Sequence, residues 1–357
     1  MLAQWPTLSR NLERAGESLV EVSPEVEHAL ARGHPVVALE SAVITHGLPA
    51  PYNGQVALEM EREVRAAGAI PATIALWEGR MVVGLDGARI QELARMAADE
   101  AQRRRLGGRA DWRWSTRSDY ALYKVSVRDL GPLLARRDPP PAFGGTTVAA
   151  TLAIAALVGI RFFATGGIGG VHHDPPYDIS ADLPQLAFSP VMTVCAGAKA
   201  ILNLDATLEY LETWGVPVVG YRTAVFPAFY SPDSPWPVRH QVTSPQQAAC
   251  LARAHWAIGR PSAVLLVVPP PPSQALSYAY VRQLIEHALA ELQEHNRGKP
   301  LAEQIRGAAV TPYLLERLSA LSDERTLQAN LALLRNNARV AAQVARAWAD
   351  LAHTDCG

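Results

Sequence analysis

A chain of 357 residues in which 49% of the side chains are hydrophobic can bury a large core, in one big domain or two. Its 33 basic and 34 acidic residues leave a net charge of −1, which argues against a basic field for nucleic acid and a polybasic segment for anionic lipid. Its 3 cysteines are too few for a disulfide framework or a zinc site, and no apolar run reaches membrane-spanning length. We therefore expect a cytoplasmic protein whose partners are small molecules, not nucleic acids or membranes.

The chain begins with a predicted N-terminal extension over residues 1–22, and a single domain is predicted over residues 23–350. Ser-Pro-Glu at its start predicts a short helix. A predicted buried strand follows, and Glu40 lies at its end. A carboxylate there is costly unless it is protonated or paired, so Glu40 is either a general acid with a raised pKa or one half of a buried ion pair.

Next come a helix over 54–68, an antiparallel hairpin formed by strands over 71–77 and 81–85, and a helix over 89–105. Residues 106–120 are rich in Arg, Trp, Asp and Gly and predict an exposed insertion or lid.

Two features of the following segment concern charge. Lys124 stands directly before a helix start, where a lysine is normally solvated. Gly144-Gly145-Thr146-Thr147 is predicted to open an alanine-rich helix over 149–158, and the free N–H groups and dipole of that terminus suit an anion.

The stretch with the most chemical groups runs from Phe162 to Lys199 between predicted strands over 160–164 and 191–195. Ligands in such folds bind beyond the carboxyl ends of the strands. The glycines in this stretch form either an anion-binding nest or a tight turn at positive φ; they are Gly166, Gly167, Gly169 and Gly170. Small and apolar neighbours would favour the neutral, nucleophilic amine of Lys199, although the local pattern slightly favours a lysine that snorkels from the first turn of a helix.

The remainder of the chain alternates predicted helices with strands over 216–221 and 263–268. Helices are predicted over 205–213, 244–257, 274–295, 313–321 and 326–349. The last helix carries Asn330, Asn336 and Asn337, and because asparagine is unfavourable inside a helix, we expect some of them to face polar groups. Alternating helices and strands with one hairpin predict an α/β fold, a three-layer α/β/α sandwich with a mixed sheet.

Ordered sequence blocks between about Val36 and about Ala345 resemble the pseudouridine-5′-phosphate glycosidase family, also called indigoidine synthase A. The blocks are ALESAVITHGLP, GAIPATIA, KVSVRDL, GGTTVAAT, FATGGIGGVH, DISADL, CAGAK, LEYLETWGVPVVGY, FPAFY and LLRNNA. An ordered set of this length is far more specific than any one glycine block.

The resemblance implies a homotrimer that depends on Mn²⁺, with Mg²⁺ or another divalent ion as an alternative. The implied activity is reversible cleavage of the C–C glycosidic bond of pseudouridine 5′-phosphate to uracil and ribose 5-phosphate. Matched position by position, the resemblance makes Glu40 the proton donor, Lys199 the nucleophile that joins C1 of the sugar, and Asp178 the metal ligand. The substrate-binding residues that it implies are Lys124, Val148, Thr165, Ser180, Ala181, Asp182 and Asn337.

These residue types suit that chemistry. A C–C glycoside has no basic nitrogen to protonate, whereas ring opening lets Glu40 protonate the ring oxygen while Lys199 captures C1. An iminium then forms at C1 as the base is protonated and leaves. Burial would favour both the neutral amine and the protonated acid. Lys124 and the threonine-glycine turns are the expected partners of the phosphate.

The chain also departs from the family pattern, in the longer segment 106–120, at His173-Asp174-Pro175-Pro176, at Val127 and over 269–272. Because these positions are expected near the phosphate and the base, a lysine-dependent lyase or glycosidase of a different phosphorylated C- or N-riboside is the alternative. A non-catalytic sugar-phosphate-binding protein would not need both an acid and a nucleophile. A sugar kinase would need a nucleotide phosphate loop, which the sequence does not contain.

Overall fold

A mixed sheet lies between layers of helices in the computed structural model, which describes residues 13–14, 17–105, 114–116, 119–173, 177–306 and 310–351. The strands in this part of the chain are β1 (Glu13–Arg14), β2 (Glu17–Ser18), β3 (Val20–Val22), β4 (Val36–Leu39), β5 (Ile70–Trp77), β6 (Arg80–Val83), β7 (Trp114–Thr116), β8 (Ala121–Val125), β9 (Ala142–Thr146), β10 (Phe162–Ala164), β11 (Met192–Cys195), β12 (Val218–Tyr221), β13 (His240–Val242) and β14 (Val264–Val267).

The helices in the same part of the chain are α1 (Pro24–Ala31), α2 (Tyr52–Ala66), α3 (Gly87–Arg105), α4 (Val127–Ala135), α5 (Val148–Val158), α6 (Asp182–Ala187), α7 (Leu204–Thr213), α8 (Pro245–Ala257), α9 (Tyr278–Asn296), α10 (Val310–Leu321) and α11 (Arg325–Asp350). A π-helix over Val43–Gly47 and a 3₁₀ turn over Leu301–Glu303 complete the described helical segments. None of the described helices is long and apolar enough to cross a lipid bilayer.

The strand order of the main sheet is β13-β12-β14-β11-β10-β4-β5-β9-β8-β7. Every pair from β13 to β5 is parallel, whereas β5 is antiparallel to both β6 and β9. The sheet is therefore mixed and mostly parallel, and the hairpin predicted over residues 71–85 is confirmed as β5 and β6.

Helices cover the central strands on both faces. The long helix α11 packs on β4, β10 and β11 and also contacts α2 and α8, while α5 packs on β4, β5 and β9 beside α4 and α6. Because the central strands are covered twice, they are apolar and buried throughout, as in VVAL of β4 and FFA of β10. The predicted three-layer α/β/α class is confirmed.

Strands β4 and β9 approach each other from opposite directions along the same edge of β5. Leu39 at the end of β4 is opposite Thr73 of β5, and Gly145 near the end of β9 is opposite Ala75. The two carboxyl ends therefore meet. The hydroxyls of Ser41 and Thr146 both donate to the carbonyl of Ile74, at 2.6 and 2.7 Å, and join the ends to β5.

The pairing of β8 with β9 was not expected from the sequence. Two glycines in AFGGT weaken a strand pattern, yet they are needed here, because a Cβ at Gly145 would lie 2.5 Å from the carbonyl oxygen of Ser41. The expectation that Gly144 and Gly145 open a helix is therefore wrong, and the helix begins at Val148.

Two predicted peripheral segments are only partly described. Within the predicted N-terminal extension, Val20–Val22 forms β3 and pairs in parallel with β6. The predicted lid over 106–120 lies largely outside the described residues; within it, Trp114–Thr116 forms β7, antiparallel to β8.

Candidate active site

A cavity of about 640 Å³ opens where the ends of β4, β8, β9 and β10 converge. Glu40 lies directly after β4, Thr165 directly after β10, and Lys199 four residues after the end of β11. All three side chains line the cavity. The site therefore occupies the position where open α/β sheets bind ligands, beyond the carboxyl ends of their strands.

Glu40 is half-buried and accepts a hydrogen bond from the hydroxyl of Thr165. Burial raises the pKa of Glu40, because the surroundings solvate a carboxylate poorly; the charge of Lys199 and the Thr165 hydroxyl oppose this rise. Of the two alternatives from the sequence, a general acid is the one that a raised pKa favours.

Lys199 is held at the end of a tight turn that only glycine fits. Gly197 has φ +82°, and a Cβ there would collide with the carbonyl oxygen of Pro227. The backbone N–H of Lys199 donates to the carbonyl of Ile168 at 3.1 Å. Since α7 begins only at Leu204, the alternative of a lysine that snorkels from the first turn of a helix is wrong. The half-buried amine instead faces the same cavity as Glu40.

Asp182 ties the glycine-rich turn to the start of α5. Its carboxylate accepts the N–H of Ala149 at 2.9 Å and the N–H of Gly169 at 2.8 Å, and the residue is 6% exposed. It lines the cavity as expected, but both oxygens are engaged by the backbone. Asp182 therefore supports the cavity wall directly.

Three of the four glycines of the turn, Gly167, Gly169 and Gly170, are required by close approach and not by backbone conformation. None of the four has positive φ, so the alternative of a turn at positive φ is wrong. A Cβ at Gly169 would lie 2.7 Å from an Asp182 carboxylate oxygen, and one at Gly170 would collide with the hydroxyl of Thr207. The turn is packed against side chains that a larger residue would displace.

Lys124 lies on β8 and lines the cavity, so the expectation of a solvated lysine is wrong. Burial lowers its pKa to about 8, and the charge of Lys199 acts in the same direction, whereas Asp182 and Glu40 oppose the change. At neutral pH Lys124 is still mostly charged and can neutralise an anion. Ser126 and Arg128, at the start of α4, line the cavity beside it.

The start of α5 offers less to an anion than the sequence suggests. Ala149 gives its N–H to Asp182, and the N–H of Ala150 points to the Thr147 hydroxyl at 3.5 Å. Val148 and Thr147 both line the cavity, as do Ser180 and Ala181 on the opposite loop. Lys124 is therefore a better candidate for binding an anion than this helix terminus.

Asp178 is the half-buried carboxylate predicted to hold a metal, and it lines the cavity. In the described ranges, no group of three or more His, Cys, Asp or Glu side chains could hold a metal ion by itself. One carboxylate fits a hard cation such as Mn²⁺ or Mg²⁺, which keeps most of its ligands as water or takes them from substrate oxygens.

Asn337 is the one predicted site residue that does not line the cavity. It is fully buried on α11, and its side-chain N–H₂ donates to the carbonyls of Thr165 and Gly166, at 2.9 and 3.3 Å. It contacts the backbone behind the site instead.

Several polar residues that the sequence analysis did not assign to the site also line it, among them His46, Arg128, His172 and Asn330. His46 lies on the π-helix, a structure that occurs frequently at functional sites, and its Nδ1 is 2.6 Å from the Thr45 hydroxyl. Asn330 could have been identified from the sequence, because an asparagine inside a predicted helix is unfavourable unless it faces a polar group.

Comparison with known proteins finds one family, whose members align with nearly the whole chain. A family model described as indigoidine synthase A like protein matches residues 25–113 and 108–347. A pseudouridine-5′-phosphate glycosidase from Herpetosiphon aurantiacus is 47% identical over 327 residues, which cover 91% of this chain and 96% of the relative. A protein of the same name from Geobacillus kaustophilus is 42% identical and covers 91% of this chain and 97% of its own.

Two solved structures are similar over most of their length. The prealnumycin C-glycosynthase AlnA, in complex with ribulose 5-phosphate, superposes with a TM-score of 0.77 at 37% identity, over 94% of this chain and 99% of that one. An indigoidine synthase A-like protein from Thermotoga maritima gives a TM-score of 0.74 at 28% identity, over 92% of this chain and 96% of that one.

Proposed function

The chain belongs to the indigoidine synthase A-like family and is an enzyme of the pseudouridine-5′-phosphate glycosidase type, and from that premise we propose its reaction. It cleaves the C–C glycosidic bond of pseudouridine 5′-phosphate reversibly and gives uracil and ribose 5-phosphate. The curated relatives carry the name of this activity, and the AlnA structure holds a pentose phosphate.

The observation that carries the proposal is that Glu40 and Lys199 line one cavity. An acid with a raised pKa and an amine are the two groups that ring opening of a ribose requires. The cavity of about 640 Å³ is within the range of small-molecule sites.

In the first step, Glu40 gives its proton to the ring oxygen as the bond between that oxygen and C1′ breaks. The amine of Lys199 forms the new bond to C1′ and loses a proton, so that the opened sugar is attached to the chain. A protonated Glu40 and a neutral Lys199 are the reactive forms.

In the second step, C5 of the base takes up a proton from water. The nitrogen lone pair of Lys199 then forms the iminium bond to C1′ as the bond from C1′ to C5 breaks, and the electron pair of the broken bond restores the double bond of uracil. Addition of water to the iminium releases ribose 5-phosphate and the free amine.

The other residues of the cavity bind and orient the substrate. Lys124 and Arg128 supply positive charge for the phosphate. Asp178 would hold Mn²⁺ or Mg²⁺, which supplies positive charge beside the sugar oxygens when it is bound. A homotrimer remains a prediction of the family resemblance, and a cytoplasmic location remains a prediction from the composition of the sequence.

The test is to incubate the protein with Mn²⁺ and pseudouridine 5′-phosphate, to measure uracil release, and to add borohydride during turnover. Reduction should fix a pentose phosphate on Lys199, and the lysines to be told apart by peptide mass are Lys124, Lys199 and Lys299. Lys199→Ala should abolish turnover and trapping while Lys299→Ala, on the polar connection after α9, changes neither. Full activity of Lys199→Ala would contradict the covalent route.

The similarity to a C-glycosynthase supports one alternative, a lysine-dependent enzyme for a different phosphorylated C-riboside. Ribose 5-phosphate incubated with uracil, and separately with aromatic acceptors, distinguishes the two. A C-linked product with an aromatic acceptor but none with uracil would favour the alternative.

A further inference from the structure

The turn that follows β10 is held from behind by the last helix. Asn337 of α11 is 0% exposed, and its side-chain N–H₂ donates to the carbonyls of Thr165 at 2.9 Å and Gly166 at 3.3 Å. The carbonyl of Gly166 also accepts the N–H of Ala196, at 2.9 Å. Asn337 therefore fixes both peptide units that flank the Thr165–Gly166 turn.

The amide of Asn337 can take this role in one orientation only. Its oxygen is buried and has no hydrogen-bond partner among the described residues. Rotating the amide by half a turn would place that oxygen against the two carbonyl oxygens and lose both bonds, so the donor must face the turn. A buried acceptor without a partner costs free energy, which marks Asn337 as a poor choice for stability alone.

Thr165 transmits this restraint to the catalytic acid. Its N–H donates to the carbonyl of Val194, its own carbonyl accepts from Asn337, and its hydroxyl donates to the carboxyl of Glu40. Thr165 is 0% exposed. With its backbone fixed on both sides, the buried Thr165 keeps its hydroxyl within hydrogen-bond reach of Glu40.

We propose that Asn337 is a positioning residue, which holds the Thr165 turn so that the Thr165 hydroxyl fixes the orientation of the proton donor Glu40. This inference rests on the proposed function for the role of Glu40. It assigns Asn337 to the support of the acid, not to substrate binding.

The arrangement has a consequence for the pH dependence of turnover. The charged groups that face Glu40 are Lys199, Lys124 and Asp182, and the Thr165 hydroxyl acts with the two lysines to lower the pKa of Glu40 against the effect of burial. If Thr165 is released, the pKa of Glu40 rises. Because Glu40 acts as a proton donor, activity falls as pH rises through its pKa, and a higher pKa moves this fall to higher pH.

The experiment compares kcat over pH for the wild type, Asn337→Ala, Thr165→Val and the double variant, with saturating pseudouridine 5′-phosphate and Mn²⁺. Thr165→Val identifies the alkaline limb that belongs to Glu40, because it removes the hydroxyl directly. We expect Asn337→Ala to lower kcat about tenfold and to move the same limb upward by about one pH unit, the size expected for one lost hydrogen bond to a carboxylate.

The double variant separates positioning from general destabilisation. If Asn337 acts through Thr165, the limb of the double variant lies where Thr165→Val already puts it. An equal further shift in the Thr165→Val background, or no shift in Asn337→Ala alone, would overturn the inference. Asn336→Ala is the matched control, since Asn336 on the same helix bonds only to Arg339 among the described residues, at 2.7 Å, and its limb should not move.

A substitute variant and an NMR titration keep the test decisive if Asn337→Ala unfolds or if the wild type shows no turnover. Asn337→Leu keeps the approximate size of the side chain and has no donor, so it replaces Asn337→Ala if that variant unfolds on thermal denaturation. The carboxyl signal of Glu40, assigned by its loss in Glu40→Gln, is titrated by ¹³C NMR without substrate. A raised pKa of Glu40 in the Asn337 variant supports the link even if the wild type cleaves no pseudouridine 5′-phosphate, in which case only the proposed function has failed.

Discussion

Replacing Asp182 by asparagine tests whether its carboxylate fastens the glycine-rich turn to α5. The variant keeps the shape of the side chain, but only one of its two terminal atoms can accept a backbone N–H. The other atom is an amide nitrogen and would face the N–H of Gly169 or Ala149, which the carboxylate accepts at 2.8 and 2.9 Å. A buried donor is then left without an acceptor.

The magnitude follows from these two contacts. A hydrogen bond to a charged group contributes about 1.5–3 kcal/mol, so losing one and weakening the other should cost about 3 kcal/mol. With a slope of about 3 kcal/mol per molar urea, the unfolding midpoint should fall by about 1 M. Uracil release should fall as well, because the wall of the cavity loosens.

The assay is urea denaturation followed by circular dichroism, with uracil release measured on the same preparations. Asp138→Asn is the control, since it removes the same charge from an exposed position. Equal midpoints for the two variants would show that the carboxylate of Asp182 does not hold the turn, and the structural reasoning for this wall would be refuted.

Three further outcomes are expected. The KM for pseudouridine 5′-phosphate should rise as pH increases through about 8, where Lys124 loses its charge, and Lys124→Arg should remove this rise; a KM that is flat with pH would contradict it. Gly169→Ala should abolish activity, because its Cβ would lie 2.7 Å from the Asp182 carboxylate. Gly131→Ala is the control, since there is open space around that position. It should leave the stability unchanged or raise the free energy of unfolding by up to about 1 kcal/mol in urea denaturation. Removal of divalent ions should abolish uracil release, Mn²⁺ should restore it, and Asp178→Asn should raise the Mn²⁺ concentration needed; an unchanged requirement would exclude Asp178 as the ligand.

The central strands could be predicted because they are covered on both faces. VVAL of β4 and FFA of β10 are short apolar runs, and such runs end where polar groups begin. That boundary identified Glu40 and the glycine-rich turn as candidates. Local pattern alone slightly favoured a snorkelling lysine at Lys199, and the sequence blocks that resemble the family predicted a nucleophile there.

The strands β8 and β9 could not be predicted, since their own residue patterns are weak strand signals. ALYKV contains a lysine and AFGGT two glycines, and neither pattern marks a buried strand until the neighbouring strands, β5 beside β9 and β9 beside β8, are in place. Lys124 therefore looked solvated. Its true environment depends on the neighbouring elements.

The hydrogen-bond partners of Asp182 and Asn337 could not be predicted from the sequence, for a related reason. Both residues bond to backbone atoms of segments that the fold brings together, Asp182 to Gly169 and Ala149, and Asn337 to Thr165 and Gly166. A motif shows that a polar residue is present, but not whether it faces the ligand or the peptide behind it.

The path of the chain through the site limits when activity can first arise during synthesis. The acid stands at residue 40, the amine at residue 199, and the amide that braces the turn between them at residue 337. A ribosome that has released only the first two hundred residues has made both reactive groups but not α11, which packs on β4, β10 and β11, the strands that precede the site residues. Competence for turnover should therefore emerge late, once α11 has left the exit tunnel and docked.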